Sequence, residues 1–137
     1  MKLKVIVEAY ELLGKANIKT LEDKDAVVII KNRRSMRPQV EAYEALLKDA
    51  QEKFKPENLE AMQEKTQGWD KLSNEERRSV NEFFRAYQEK IDTVCGPELE
   101  KEVECNIEKI SLESAMKLLK ENGWPVSRID ALSFMIA

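Results

Sequence analysis

A regular apolar spacing runs along residues 26–54 and limits what this chain can fold into. Nine positions recur at alternating intervals of three and four residues, and eight of them are apolar or aromatic. The positions are Ala26, Ile29, Arg33, Met36, Val40, Tyr43, Leu47, Ala50 and Phe54. This stripe is typical of a helix that packs against another helix, as in a coiled coil. Only Arg33 interrupts it, and its aliphatic stem can pack while its charged end reaches solvent or an acid across an interface.

The two ends of this helix differ in composition. Residues 26–30 are apolar all round the helix axis, which predicts a segment surrounded by other elements. Residues 40–54 carry a narrower stripe, which predicts a partner on one side only. Pro38 lies within the stripe, where a proline removes one hydrogen bond at a cost of ~3 kcal/mol. Because the stripe keeps its phase through Pro38, we expect one kinked helix rather than a second helix beginning at Ser35.

The rest of the chain predicts further helices and one strand. Apolar spacing and turn residues indicate helices near residues 5–13, 57–67, 74–95, 111–121 and 127–136. Ser73 and Glu76 have the capping-box spacing, and Gly96 and Pro97 mark the predicted end of that helix. Residues 102–108 alternate as a half-buried strand does, so they need a partner strand. Residues 2–5 are the candidate within the chain, and a second subunit is the other.

These elements predict a mainly α fold, in which a long helical hairpin carries a small head with a minor β element (α+β). A length of 137 residues favours a single domain over 1–137. Within it, residues 23–95 would form the hairpin arm, and residues 1–22 and 96–137 would form the head. Charged residues make up 36% of the chain and glycines number only four, which favours helices.

Composition also restricts the chemistry that we expect. The chain has no histidine, so it lacks the commonest general base and transition-metal ligand. No glycine-rich phosphate loop is present, and neither cysteine has an activating base near it in sequence. We therefore expect no enzyme activity, no cofactor and no metal. Cys105 alternates with apolar neighbours, which indicates a buried structural cysteine. No apolar run approaches the ~20 residues that span a bilayer, so we expect a cytoplasmic protein without a membrane partner.

A basic cluster within the long helix offers an alternative function. Lys31, Arg33, Arg34 and Arg37 place four positive charges in seven residues, a density that suits phosphate contacts. The cluster therefore supports nucleic-acid binding, or contact with an acidic partner. Against nucleic acid, the chain has a net charge of −3 and no aromatic residues interleave with the cluster. The other interpretation is a solvated flank that pairs with the acids of residues 98–108.

Two acidic pairs suggest a third function. Glu57 and Glu60, and then Glu89 and Asp92, resemble the paired acidic motifs of all-α nucleotide pyrophosphohydrolases, which hold magnesium between helices. The resemblance implies a magnesium-dependent enzyme. However, Tyr87, Ile91 and Val94 define the buried face of their helix, and Glu89 points away from it. Solvated helix faces account for these acids better.

The order of segments along most of the chain resembles small phage and prophage proteins of unknown function. The similar stretches are MKLKVIVEAYELL, KNRRSMRPQVEAYEALL, VECNIEKI and SRIDALSFMI. This resemblance implies a mostly helical protein with a structural or assembly role, in the host cytoplasm if it is phage-encoded. Together with the apolar stripe, it leads us to expect a non-enzymatic protein–protein interaction or structural protein. Its partner would be another protein or a second copy of the chain.

Overall fold

The computed structural model describes all 137 residues and is mainly α-helical, with 73% of residues in helices and 3% in strand. Six α-helices follow in chain order: α1 Leu3–Gly14, α2 Asp23–Lys53, α3 Leu59–Gln67, α4 Asn74–Leu99, α5 Leu112–Asn122 and α6 Arg128–Leu132. Short 3-10 helices lie at Trp69–Lys71 and Ser133–Met135. No helix combines the length and the apolar character that crossing a membrane requires. The expected fold class is therefore confirmed.

The chain divides into two compact units. Unit 1 consists of Met1–Ala42 and Leu99–Ala137, and unit 2 consists of Tyr43–Glu98. Unit 1 thus joins the predicted head to residues 23–42, which belong to the predicted hairpin arm. That the whole chain behaves as a single domain stays a prediction.

Helix α2 follows the apolar stripe closely. It is one helix through Pro38, so Ser35 begins no second helix. Four stripe residues are buried and the remaining five are half-buried, which confirms the stripe as the inward side of the helix. The buried four are Ile29, Met36, Val40 and Ala50, and the half-buried five are Ala26, Arg33, Tyr43, Leu47 and Phe54.

The expectation that residues 26–30 are surrounded on all sides is wrong. Ile29 is 2% exposed, but Val27 is 47% exposed and Ile30 is 50% exposed. A straight helix turns 100° per residue, so Ile29 and its two exposed neighbours point in different directions. The core covers the side with Ile29, and nothing in unit 1 covers the opposite side.

Unit 1 has the larger core. α1 and α5 supply many of its side chains, and the C-terminal residues Leu132 and Met135 are buried in it. The full buried cluster is Ile6, Ala9, Leu13, Leu21, Ile29, Met36, Val40, Ile110, Ala115, Leu118, Leu132 and Met135. At ~25 cal/mol per Å² of apolar surface, burial on this scale is the main stabilising term of the unit.

The predicted strand over residues 102–108 does not form a ladder. Within it, only Glu102 forms an isolated bridge, with Lys2, and a second bridge, between Ile110 and Ile136, lies beyond its end. The N-terminus does contact the predicted segment, because the Val103 amide donates to the Met1 carbonyl at 2.8 Å. The pairing stops there because α1 begins at Leu3 and turns the backbone away. Exposure still alternates between half-buried and exposed along residues 103–108.

Local signals set most helix ends. The Glu76 amide donates to Ser73 Oγ at 3.2 Å and the Ser73 amide to Glu76 Oε1 at 3.3 Å, so the capping box is confirmed. Gly123 ends α5 with a φ of +63°, a conformation that favours glycine. The predicted end of α4 is wrong, since the helix continues through Pro97 to Leu99. A proline this close to the end removes a single helical hydrogen bond, which the helix tolerates.

In unit 2, residues 43–53 of α2 pack against the second half of α4. Ala50, Ile91 and Cys95 form its buried cluster, and the Tyr87 hydroxyl donates to the Gln51 carbonyl at 2.8 Å. The half-buried residues around this cluster are Tyr43, Leu46, Leu47, Phe54, Tyr87 and Val94. This packing agrees with the predicted helical hairpin.

Candidate functional site

The basic cluster on α2 divides into two sets. Lys31, Arg34 and Arg37 are exposed, whereas Arg33 is half-buried. Helical periodicity places Arg34 and Arg37 on the same side of the helix as Val27 and Ile30, at spacings of three, four and three residues. We call Val27, Ile30, Arg34 and Arg37 the outer α2 face.

Arg33 is engaged by α1 instead of solvent. Its Nε donates to the Tyr10 carbonyl at 3.4 Å, and its Cζ lies 4.1 Å from the centroid of the Tyr10 ring. A Cβ at Gly14 would lie 2.5 Å from Arg33 Nη2, so the glycine leaves room for the guanidinium. Arg33 therefore links α1 to α2, and the structure does not place it with the other three cations.

The exposed cations differ in their partners. Lys31 Nζ lies 3.8 Å from Glu108 Oε1, an exposed pair of a kind that stabilises by only ~0–1 kcal/mol. Arg34 and Arg37 form no ion pair within the chain. The predicted pairing of the cluster with the acids of residues 98–108 therefore holds for Lys31 alone. Glu100 instead accepts from Lys2 and Lys4, and Glu102 pairs with the N-terminal amine.

Asn32 is a buried polar residue that the sequence analysis did not single out. It is 1% exposed; its Nδ2 donates to the Glu108 carbonyl at 2.8 Å, and its Oδ1 accepts from the Glu108 amide at 2.9 Å. One side chain thus satisfies both backbone groups of Glu108, as a neighbouring strand would. The sequence indicated the burial of Asn32, because Asn32 follows Ile29 by three residues and precedes Met36 by four. A cleft of about 350 Å³ beside Asn32 is lined by Lys31, Arg34, Ser35, Asn106, Ile107 and Glu108.

The acidic pairs do not assemble into a metal site. Glu57, Glu60, Glu89 and Asp92 are all exposed. Asp92 accepts a hydrogen bond from Gln88 Nε2 at 2.8 Å, and Glu89 lies 3.7 Å from Arg85. No group of three or more acidic or cysteine side chains is placed to hold an ion. The structure therefore gives the pyrophosphohydrolase hypothesis no support.

Both cysteines have the environment of structural thiols. Burial raises the pKa of the Cys95 thiol, and the charges of Asp92 and Glu98 raise it further. Burial also raises the pKa of Cys105, whose thiol donates to the Ser35 carbonyl at 3.8 Å. Cys105 is half-buried, somewhat less than the alternation predicts. A raised pKa lowers the thiolate fraction, which is the nucleophilic form.

A second basic surface lies in unit 2, and it is not among the sites predicted from the sequence. A cleft of about 530 Å³ is lined by Trp69, Asn74, Arg77, Arg78, Asn81, Glu82 and Arg85. Its arginines are spread over more than two turns of α4, so they form no dense run in the sequence. Their spacing in the sequence does indicate a shared surface. Arg85 follows Arg78 by seven residues and Arg77 by eight, which brings all three to one side of the helix.

Comparison with known proteins identifies no relative: no family model matches, and neither a curated protein nor a solved structure is similar to the chain at a significant level.

Proposed function

We propose that this chain is a non-enzymatic protein-interaction module that binds an acidic, amphipathic helix of a partner protein on the outer α2 face. The observation that carries the proposal is the exposure of two adjacent apolar side chains, Val27 at 47% and Ile30 at 50%, beside two unpaired arginines. The buried stripe of α2 already provides the core of the fold, so this second apolar set is not required for packing within the chain.

The spacing and charge of this face match helix recognition. The face has two apolar anchors three residues apart, and two cations follow one and two turns later. An amphipathic helix binds to a surface with this pattern. Full burial of a Val or Ile side chain contributes ~1.5–3 kcal/mol, so covering the exposed halves of two such residues is a modest gain. Arg34 and Arg37 would add charge-assisted hydrogen bonds to carboxylates, which gives the partner its acidic character.

The test uses a designed peptide, because its composition is known. A fluorescently labelled helical peptide with leucines at i, i+3 and i+7 and glutamates beside them is titrated with the protein, and anisotropy is recorded. A peptide of the same composition in scrambled order is the reference. We expect the double variants Val27→Ser/Ile30→Ser and Arg34→Glu/Arg37→Glu each to weaken binding at least tenfold.

A matched control comes from α5. Leu112 is 55% exposed and Met116 is 37% exposed, so Leu112→Ser/Met116→Ser removes comparable apolar surface elsewhere in unit 1. This variant should bind as the wild type does. Equal affinity for the scrambled peptide, or an equal loss in the α5 variant, would contradict the proposal.

Nucleic-acid binding is the second candidate, and the observation that favours it is the lack of an ion pair at Arg34 and Arg37. Phosphate contacts by these residues and Lys31 would make DNA or RNA affinity fall steeply with added salt. Arg34→Glu/Arg37→Glu should then abolish binding while Val27→Ser/Ile30→Ser leaves it intact. This second variant separates the two candidates, and an absence of binding at low salt would remove the alternative.

The proposal includes an assembly role among phage proteins in the host cytoplasm, supported by the segment order of the sequence. Such a role requires neither a cofactor nor a metal. Capsid, portal or tail genes flanking the coding sequence are the expected genomic context. Flanking genes of host metabolism would contradict this part of the proposal. The peptide experiment tests the outer α2 face independently of the genomic context.

A further inference from the structure

The cleft beside the start of α4 brings an indole ring and three guanidinium groups together within unit 2. Trp69 belongs to the 3-10 helix Trp69–Lys71, and the arginines belong to the first half of α4. The volume of about 530 Å³ lies within the ~300–1,000 Å³ that is usual for small-molecule sites. The outer α2 face lies in unit 1, so this cleft is a separate surface.

Arg77 fixes the geometry of this cleft. Its Nε donates to the Trp69 carbonyl at 3.1 Å, and its Cζ lies 5.6 Å from the centroid of the Trp69 ring. The carbonyl bond attaches the 3-10 helix to α4, and the cation–π contact orients the indole. Trp69 is half-buried, and its indole nitrogen forms no hydrogen bond within the chain. The ring is therefore held in place while its polar atom stays available to a ligand.

The remaining arginines are available to an anion. Arg78 is exposed and forms no ion pair, and Arg85 has only an exposed contact of 3.7 Å with Glu89. The cleft lining carries three arginines and one glutamate, a net charge of +2 in a chain whose net charge is −3. Guanidinium groups bind phosphate or carboxylate through two parallel hydrogen bonds, and the indole ring beside them favours a phosphate that carries an aromatic base.

We propose that this cleft binds a nucleoside phosphate, with its phosphate held by Arg78 and Arg85 and its base against the Trp69 ring. Stacking on an aromatic ring together with a positively charged groove is how proteins hold unpaired nucleotides. Asn81 and Glu82, between the arginines on α4, supply a donor and acceptors for the sugar hydroxyls or the base edge. The same chemistry serves a free nucleotide or one nucleotide of a single strand.

The experiment follows the fluorescence of Trp69. Because Trp124 would add a background signal, the measurements use the full chain with Trp124→Phe. AMP, an eight-nucleotide oligo(dT) and tripolyphosphate are titrated separately at low ionic strength, with EDTA present so that no metal bridges the ligands. We expect AMP or the oligonucleotide to quench Trp69, and tripolyphosphate to bind more weakly without the same quenching. Quenching by AMP identifies a free nucleotide as sufficient, and quenching by the oligonucleotide alone identifies a single strand.

Variants test the assigned residues. Arg78→Gln/Arg85→Gln should weaken binding at least tenfold, and Trp69→Leu, measured by calorimetry, should weaken nucleotide binding at least fivefold while tripolyphosphate binding stays unchanged. The control Lys120→Gln/Arg128→Gln removes the same charge from exposed positions in unit 1 and should leave affinity within twofold. The proposal is overturned if 1 mM ligand produces no response, if tripolyphosphate matches AMP in affinity and quenching, or if the control loses as much affinity as the cleft variant.

Discussion

The two units reach a stable core by different means. Unit 1 buries a cluster of twelve apolar side chains drawn from α1, α2, α5 and the C-terminal residues. Unit 2 buries a cluster of three, Ala50, Ile91 and Cys95, and surrounds it with half-exposed residues that include Tyr43, Phe54 and Tyr87. Leu59, Met62 and Val80 are also buried in unit 2, outside this cluster. α2 supplies the same kind of stripe to both. The difference therefore comes from the number of elements that cover the stripe rather than from the stripe itself.

This contrast indicates where structural change is tolerated. A large core resists local opening, whereas a small cluster under half-exposed aromatics opens at a lower free energy. Hydrogen exchange is therefore expected to be slowest in the α1, α2 and α5 amides of unit 1. In unit 2, the amides around the Ala50, Ile91 and Cys95 cluster are expected to exchange faster.

The largest expected effect comes from cavities at matched isoleucines. Ile29 is 2% exposed in unit 1 and Ile91 is 3% exposed in unit 2. Substitution of a buried isoleucine by alanine costs ~2–5 kcal/mol, and the cost falls where neighbours can collapse into the space. We expect Ile29→Ala near the upper end and Ile91→Ala near the lower end, measured by denaturant unfolding. Equal losses of stability would show that the two units do not differ in this way. An Ile29→Ala free energy of unfolding within about 0.5 kcal/mol of wild type would show that Ile29 is not a core residue.

The next effect concerns Asn32, a buried polar residue of unit 1 that has no counterpart among the buried residues of unit 2. Asn32→Ala leaves the amide and carbonyl of Glu108 without their partner in a half-buried site, so the cost is expected near the lower end of the ~1–3 kcal/mol of a buried group left unpaired. The control is Asn106→Ala, because Asn106 is exposed and forms no hydrogen bond within the chain. It should change the free energy of unfolding by less than about 0.5 kcal/mol. A control loss equal to that of Asn32→Ala would show that the Glu108 contact contributes nothing specific.

The sequence predicted the features that depend on local chemistry. The stripe of α2, the Ser73–Glu76 capping box and the burial of Ile29 depend on spacing and on single residues, and all are present. The errors depend on what the rest of the chain does. Val27 and Ile30 are exposed because no element covers them, and residues 102–108 lack a ladder because α1 begins at Leu3.

The candidate sites were harder to predict, for a related reason. The sequence shows the basic cluster of Lys31, Arg34 and Arg37 because these residues lie within seven positions. The contact between Arg33 and Tyr10 depends instead on how α1 and α2 pack together. The Trp69 cleft depends on a 3-10 helix that folds back on α4, and no sequence spacing describes that contact. Asn32 was predictable in principle from its position between Ile29 and Met36.

The smallest expected effect compares two exposed carboxylates, one in each unit. In unit 1, hydrogen bonds from Lys2 at 2.8 Å and Lys4 at 2.9 Å lower the pKa of Glu100 from 4.5 to about 2. In unit 2, the Ser73 backbone amide and then its side chain lower the pKa of Glu76. Both carboxylates therefore favour the folded state above the unfolded pKa, and that contribution is lost as the pH falls from about 4.5 toward the folded value.

The two carboxylates respond to different changes, which makes each the control for the other. Lys2→Gln/Lys4→Gln should raise the pKa of Glu100 toward 4.5 and leave that of Glu76 lowered, as followed by an NMR titration of the side-chain carboxyl carbons. Added salt should act in the same direction on Glu100, because exposed ion pairs are screened, and less on Glu76, whose main partner is a neutral amide. If the pKa of Glu100 stays near 2 in the double variant, the lysines are not its cause. If Glu76 shifts with it, the change reflects a loss of helix structure rather than a local pair.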